Sequence, residues 1–313
     1  MSEADQCLVM KQPDGATFRY VTRPDGGTLR YGYWPARDGG GKGTVLVLPG
    51  RSEFIEKYNE VTHCLLTRGY AVVVVDWRNQ GLSSRPLANS HKHHIVDFAI
   101  MLDDMDAVWD DVQTLDLPDP WYLLAHSMGG HLALRYLHRH PDRFAKAIMT
   151  APMVGINYGT IPGPLARFLA RAFTALGLGT SYALGQLNYG PLNRSKAVMN
   201  LITSDATRFE CEHRLVDINP GVALGGVTWG WLNAARKSIK TLNSEGYPEA
   251  ISTQLYILQA GREKLVDNKM MSSFVARLPN ARFEVVDGAL HEILSESDQY
   301  RDRFWTVFDD FIG

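Results

Sequence analysis

Residues 121–137, WYLLAHSMGGHLALRYL, decide the fold of this chain. Trp121 to Leu124 is a short apolar run that reads as a strand. An abrupt turn of small residues around one serine follows, and then a helix with apolar residues at Leu132, Leu134, Tyr136 and Leu137. A serine at such a corner is held in a strained backbone geometry. Its hydroxyl is exposed at the carboxyl end of the strand, and the first free N–H groups of the helix point at whatever binds there.

The five residues Ala125-His126-Ser127-Met128-Gly129 read as a nucleophile elbow, G-x-S-x-G, with Ala125 in place of the first glycine. That position needs a small side chain where strand and helix come close, so alanine is a mild change. Clusters of Gly, Ala and Ser also begin ordinary helices, and the elbow alone leaves Ser127 open as a plain capping residue.

The flanking sequence repeats the strand-and-helix alternation. Short β-like runs at Ala16–Tyr20 and Thr28–Trp34 flank Arg23-Pro24-Asp25-Gly26-Gly27, which predicts an antiparallel hairpin. The glycine-rich stretch from Asp38 to Gly43 leads into the strand Thr44–Leu48. A helical pattern runs through Ile55, Tyr58, Val61 and Leu65, and the β-branched run Ala71–Val75 has the character of a strand covered on both faces. In the loop after it, Asn79 can take the left-handed conformation. A helix is expected from Asp97 to Leu115, with Asp103, Asp104, Asp106, Asp110 and Asp111 on a solvated face rather than around a metal. Phe144–Thr150 is the strand after the elbow helix.

The regular alternation stops at Ala151-Pro152. Residues 153–244 are punctuated by Gly and Pro, helical in their better segments, and without a convincing strand. Strand and helix then resume at Leu255–Gln259, Asn268–Leu278, Arg282–Val286 and Ser297–Ile312. The expected architecture is α/β: a mostly parallel central sheet with helices on both faces, formed by residues 1–152 and 245–313, with a helical cap inserted at 153–244.

Composition excludes several classes. The 313 residues are 45% hydrophobic and 21% charged, too apolar for a disordered chain, and the net charge of −2 does not suggest nucleic acid. Cys7, Cys64 and Cys211 are odd in number and far apart, which argues against a disulfide framework and a cysteine-ligated zinc. With Glu3 and Asp5 and no apolar run of about seven residues, the amino terminus shows no secretory signal, so a cytoplasmic location is expected. No window approaches the roughly 18 uninterrupted apolar residues of a spanning helix, which leaves peripheral membrane contact.

A serine hydroxyl needs a base to take its proton, and the base works best with a carboxylate to orient it. Both should follow late strands. The first such loop is Ala260-Gly261-Arg262-Glu263-Lys264-Leu265-Val266-Asp267, and the second is Asp287-Gly288-Ala289-Leu290-His291-Glu292. The order serine, acid, histidine is that of the α/β-hydrolase fold.

With these residues in view, the chain resembles an α/β-hydrolase of the lysophospholipase and monoacylglycerol lipase group, in its bacterial lysophospholipase branch. The stretches that carry the resemblance are VLVLPGRSEFIEKY, VVDWRNQGLSS, LLAHSMGGHLALRYLHRHP, TAPM, LQAGREKLVDNKM and VVDGALHEIL. They span nearly the whole chain outside the cap. The resemblance implies Ser127 as nucleophile, His291 as general base, and the backbone N–H groups of Arg51 and Met128 as oxyanion donors. It implies Glu263 as the acid, with Asp267 as the alternative. Pro49-Gly50 stands where lipases often have His-Gly, and Arg51 is open to pairing with a carboxylate or a substrate phosphate. The resemblance further implies ester hydrolysis of a lysophospholipid or monoacylglycerol through an acyl-enzyme, without a metal or organic cofactor. General carboxylesterase, carbon–carbon hydrolase and catalytically dead lipid-binding protein are the alternatives.

Other features take quieter readings. His91, His93 and His94 fall in a polar loop expected to face solvent, and His126 is expected to be structural. His63, His138, His140 and His213 have no evident partners, and Trp77 and Arg78 belong to a structural turn. Residues 153–244 carry nine Lys or Arg against four Asp or Glu, a net of +5. Within them Leu165, Phe168, Leu169, Ala172, Phe173 and Leu176 form a helical stripe expected to pack on the body, with Arg167 and Arg171 away from it. The sharper reading has this helix line an acyl tunnel or touch an anionic lipid surface.

Overall fold

The computed structural model describes residues 10–37 and 41–313. Glu3, Asp5 and Cys7 and the start of the stretch from Asp38 lie outside them. Eight strands, β1 (Thr17–Thr22), β2 (Thr28–Trp34), β3 (Thr44–Leu48), β4 (Ala71–Val75), β5 (Trp121–His126), β6 (Lys146–Thr150), β7 (Gln254–Ala260) and β8 (Ala281–Val286), form one sheet in the order β1-β2-β4-β3-β5-β6-β7-β8. The β1–β2 hairpin is antiparallel, β2 is antiparallel to β4, and every other pairing is parallel.

Among the described residues nine α-helices accompany the sheet: α1 (Asn59–Thr67), α2 (Ala99–Val112), α3 (Met128–Arg139), α4 (Gly163–Ala175), α5 (Lys196–Ile202), α6 (Ala206–Ile218), α7 (Trp229–Leu242), α8 (Asn268–Val275) and α9 (Asp298–Phe311). Because side chains alternate across a strand, β3 sends Leu46 and Leu48 into a core layer with α2 and α3, and Val45 and Val47 into a second layer with α1 and α9. Both faces are covered, which is why β3 and β4 are uniformly apolar. The helix expected from Ile55 opens instead as a 3-10 turn at Ile55–Tyr58, where the Ile55 N–H is taken by the Asp76 carboxylate at 2.9 Å.

Register fixes where function can sit. Leu48 lies opposite Ala125, His126 opposite Thr150 and Ala260 opposite Val286, so the loops after β3, β5, β6, β7 and β8 leave from one carboxyl edge. In an open parallel sheet that edge is the binding edge.

The segment between β6 and β7 holds α4 to α7 and, among the described residues, contributes isolated β-bridges but no strand of the sheet. Its attachment corrects two expectations. First, α4 packs through the small residues Ala166 and Ala170, with Leu169 and Phe173 half-buried and Phe173 stacked on Trp229 at 4.7 Å. Leu165, Phe168 and Leu176 of the expected packing stripe face solvent, Phe168 at 64% and Leu176 at 73% exposure. Small residues allow close approach to α7, and that rotates the large ones outward. Second, His93 is not in solvent. It is fully buried beside Trp231 because its backbone pairs with Gly226 and Thr228 of the inserted segment.

The aspartates of α2 are more engaged than a solvated face requires. Asp104 is buried and takes Arg23 and Arg78, and Asp106 takes Arg139 and Arg143. Trp77 donates to Pro49 O at 2.7 Å, in keeping with a structural turn, and Asn79 has the expected positive φ of 71°.

Candidate active site

Ser127 sits between β5 and α3 with φ 51° and ψ −115°. Few non-glycine residues tolerate a positive φ, and this one persists because its surroundings over-determine it. Its N–H donates to Thr150 O at 3.0 Å, and its carbonyl accepts from Met153 at 2.9 Å and His131 at 3.0 Å. The glycines after it permit close contact: a Cβ on Gly129 would fall 2.2 Å from Leu48 O, and one on Gly130 2.8 Å from the Pro152 side chain. The start of α3 is thereby pressed against the end of β3, next to the loop that carries Arg51.

Three expected residues come together. Ser127 Oγ is 2.9 Å from His291 Nε2, and His291 Nδ1 is 2.7 Å from Glu263 Oε2. The other Glu263 oxygen accepts the backbone N–H groups of Lys264, Leu265 and Val266 at 2.9, 2.7 and 3.2 Å. This carboxylate is fixed at both ends. Asp267 is placed elsewhere, accepting from Lys269 and Met270 at 3.0 Å as the N-cap of α8. The N–H groups of Arg51 and Met128 donate to no acceptor among the described residues. Among the described residues the Arg51 guanidinium pairs with no carboxylate and donates instead to the Gly225 carbonyl of the inserted segment, at 3.1 Å.

The electrostatics suit proton transfer. Burial would lower the His291 pKa, but the charge and hydrogen bond of Glu263, with Glu292 and Glu53 behind it, outweigh burial and raise it. Burial would raise Glu263, and His291 with the backbone N–H groups of the loop holds it below the ordinary range. His126 packs 4.8 Å from the His291 ring, hydrogen-bonds Thr150 Oγ1 at 2.9 Å, and is driven by burial to about 4. Its expected structural role fits a neutral ring. Of the remaining histidines, His213 hydrogen-bonds the Tyr189 hydroxyl at 2.7 Å, His140 reaches Asp106 at 2.8 Å, and His138 stacks on Tyr247.

One cluster was not foreseen from the sequence. Lys57 is buried with its ammonium 2.9 Å from each of three carboxylates: Glu53, Glu212 of α6, and Glu292 beside His291. Glu53 also accepts from the Gly50 N–H and from the Tyr58 hydroxyl at 2.7 Å, and so braces the loop that holds Arg51. The i, i+4 spacing of Glu53 and Lys57 was a readable signal; the partners at 212 and 292 come only with the fold.

A serine hydroxyl, an imidazole and a buried carboxylate in hydrogen-bonded line, with free N–H groups at a helix start, can carry out acyl transfer. The comparisons agree with that chemistry. Residues 40–298 match the family described as serine aminopeptidase, S33. Over 258 residues the chain is 33% identical to the probable lysophospholipase L2 of Haemophilus influenzae, covering 82% of this chain and 79% of that protein. Over 281 residues it is 34% identical to lysophospholipase L2 of Escherichia coli strain K12, covering 86% and 80%. A soluble variant of monoglyceride lipase from Saccharomyces cerevisiae superposes with a TM-score of 0.73 at 20% identity, over 96% of this chain and 95% of that one, and so shares the α/β-hydrolase fold. The chain belongs to the S33 serine aminopeptidase family of α/β-hydrolases.

Proposed function

We propose that the protein is a serine hydrolase that cleaves the carboxylic ester of a single-chain lipid, a lysophospholipid or a monoacylglycerol, through an acyl-enzyme. Ser127 attacks the ester carbonyl while His291 takes its proton, and Glu263 holds the imidazole tautomer and stabilises the imidazolium. The N–H groups of Met128 and Arg51 receive the oxyanion. His291 then returns the proton to the leaving alcohol and activates the water that releases the fatty acid. Asp267 serves as a helix cap. The observation that carries this reading is the unbroken line from Ser127 through His291 to Glu263, with the serine in a strained corner.

Residues 153–244 act as a cap over the carboxyl edge, a role supported by the contact of Arg51 with Gly225. Lysophospholipid is the first choice of substrate, supported by the bacterial relatives that bear that name and by the net positive charge of the cap. No helix among the described residues is long and apolar enough to cross a membrane. The apolar residues exposed on the cap, among them Leu165, Phe168, Leu184 and Leu187, suit peripheral contact with a lipid surface, where a single-chain lipid would be collected.

The test is release of fatty acid from lysophosphatidylcholine and monoacylglycerol, and of nitrophenol from p-nitrophenyl esters, with an aminoacyl anilide in the same panel. Ser127→Ala should lower kcat on the order of 10⁴- to 10⁶-fold. Turnover of the anilide alone, or turnover that persists in the variant, would sink the ester reading.

A further inference from the structure

A cavity of about 870 Å³ lies between the start of the cap and the body, and Ser127, His291, Arg51 and Met128 take no part in its lining. Its walls come from residues 155–163, α4, α7 and the first turn of α8. Four cations line it: Arg167 of α4, Arg236 and Lys240 of α7, and Lys269 of α8. Among the described residues none of the four is held in an ion pair, although most arginines of the body are. Arg236 donates only to the neutral Asn233 side chain, at 3.2 and 3.0 Å. The one carboxylate of the lining, Asp267, caps α8 through Oδ1, and the four cations outnumber its single negative charge.

The cations share one space. Arg236 and Lys240 are four apart on α7 and project from the same face. Burial raises the Tyr158 hydroxyl against the opposing charges of Arg167 and Arg236, which reach it from two different helices. Four positive groups line one concave volume, Arg236 half-buried and Arg167, Lys240 and Lys269 exposed, so an anion in it meets cations from three helices. Arginine pairs with phosphate through two parallel hydrogen bonds, and lysine adds point charges. The rest of the wall includes Ile156, Ile239, Val266 and Met270, which offer an apolar surface to an alkyl group. Asn268, whose side-chain oxygen has no donor among the described residues, lines the same cavity and can accept from a hydroxyl.

We propose that this cavity is a phosphate-recognition site that takes the phosphate ester group of an amphiphile, with Arg167, Arg236, Lys240 and Lys269 around the phosphate and the apolar wall along the alkyl part. The proposal deepens the lipid-ester reading and takes its choice of probe from it. The cavity spans the cap and the body, and Val266 on its wall also donates to Glu263 Oε1, so an occupant bears on both the cap base and the acid loop.

The experiment measures binding to the full chain carrying Ser127→Ala, which prevents turnover. The probes are lysophosphatidylglycerol, the monoacylglycerol of equal chain length, both below their micelle concentrations, and inorganic phosphate. The phosphate-bearing lipid should bind ~10- to 100-fold more tightly than the neutral one, as charge-assisted hydrogen bonds imply. Adding Arg236→Gln and Lys240→Gln should erase that preference. Arg167→Gln alone should reduce it, which keeps the test informative if the double variant melts early. Displacement of the lipid by millimolar phosphate would assign the site to free phosphate as well; persistence of the lipid preference under phosphate would assign it to the headgroup. Equal binding of the two lipids, or a preference untouched in both variants, overturns the proposal. Binding in the Ser127→Ala protein is read without ester hydrolysis, so either reading can fail while the other stands.

Discussion

Lys57 Nζ lies 2.9 Å from Glu292 Oε1, and Glu292 directly follows His291 in the chain. The same ammonium reaches Glu53, which braces the Arg51 loop, and Glu212 on α6. One buried cation thus ties the histidine loop, the loop of the proposed oxyanion hole and the inserted segment. Lys57→Met leaves three buried carboxylates without their counter-charge, and loss of one partner of a buried ion pair costs about 3–5 kcal/mol. Urea unfolding should show a drop of that size. Adding Glu292→Gln should recover part of it, because the two residues share one network and their effects do not add. Strict additivity would disprove the shared network.

The same cluster sets a pH dependence. Burial, with Glu212 and Glu53 nearby, raises Glu292 to about 7 in the fold despite Lys57. The unfolded chain releases that proton near the ordinary glutamate value, so the folded state binds more protons between that range and about 7, and stability falls as pH rises across it. His291, also raised, continues the decline from its ordinary value near 6.5 upward. Glu53 is lowered and acts in the opposite sense, its contribution being lost as pH falls below the usual carboxylate range. Glu292→Gln should flatten the decline below pH 7, as read from denaturation midpoints at several pH values. In the pH profile of kcat/KM, the acidic limb should lie above 6.5, since His291 must be neutral to act as a base. Glu292→Gln should move that limb toward lower pH.

Glu263 and Asp267 separate in one paired experiment. Glu263→Gln keeps the shape but removes the charge that selects the His291 tautomer, and by analogy with serine triads kcat should fall on the order of 10⁴-fold. Asp267→Asn should cost at most about 1 kcal/mol through a weaker α8 cap and leave kcat within a few-fold. A large kcat loss in Asp267→Asn with Glu263→Gln active would reverse the two roles.

Much of this was legible in the sequence. The elbow of Ser127 and the two loops that hold Glu263 and His291 could be placed because each follows an apolar run that ends at the carboxyl edge; their proposed roles came with the family resemblance, and the fold then puts Glu263 beside His291 and Asp267 at the start of α8. Sequence spacing does not carry that information. Nor could it orient α4. An apolar stripe does not say which of its residues meets a partner, and here Ala166 and Ala170 made the contact. His93 went the same way: a polar run of histidines reads as a loop, and its burial depends on Gly226 and Thr228, more than a hundred residues away. The Lys57 cluster unites four elements and is visible only once they are folded together.

Gly129 tests the close contact behind the elbow. An alanine Cβ there would sit 2.2 Å from Leu48 O and 2.5 Å from Pro49 O, both backbone atoms that cannot swing aside. Gly129→Ala should destabilise by at least the ~1–3 kcal/mol of an overpacked site. It should also shift the Arg51 loop from α3 and so lower kcat more than it raises KM. Gly177, with a positive φ but nothing near its missing Cβ, is the control: alanine there should lower stability modestly and leave kcat unchanged.

The exposed apolar side of the proposed cap yields the last expectation. Leu165 and Phe168 point outward from α4, Leu184 and Leu187 are exposed on the loop after it, and Arg171 stands exposed on α4 as well. An interfacial element combines apolar side chains that enter the acyl boundary with cations that meet anionic headgroups. Phe168→Asp and Leu184→Asp should each weaken sedimentation with anionic vesicles, while Arg171→Glu should weaken it at low salt and progressively less as salt screens the charge. These side chains are exposed and make no hydrogen bond with Ser127, His291 or Glu263, so hydrolysis of a monomeric p-nitrophenyl ester should persist in all three variants. Vesicle binding that ignores all of them would place the lipid surface elsewhere on the molecule, whereas loss of the soluble-ester activity would mean that the substitutions disturb the cap itself.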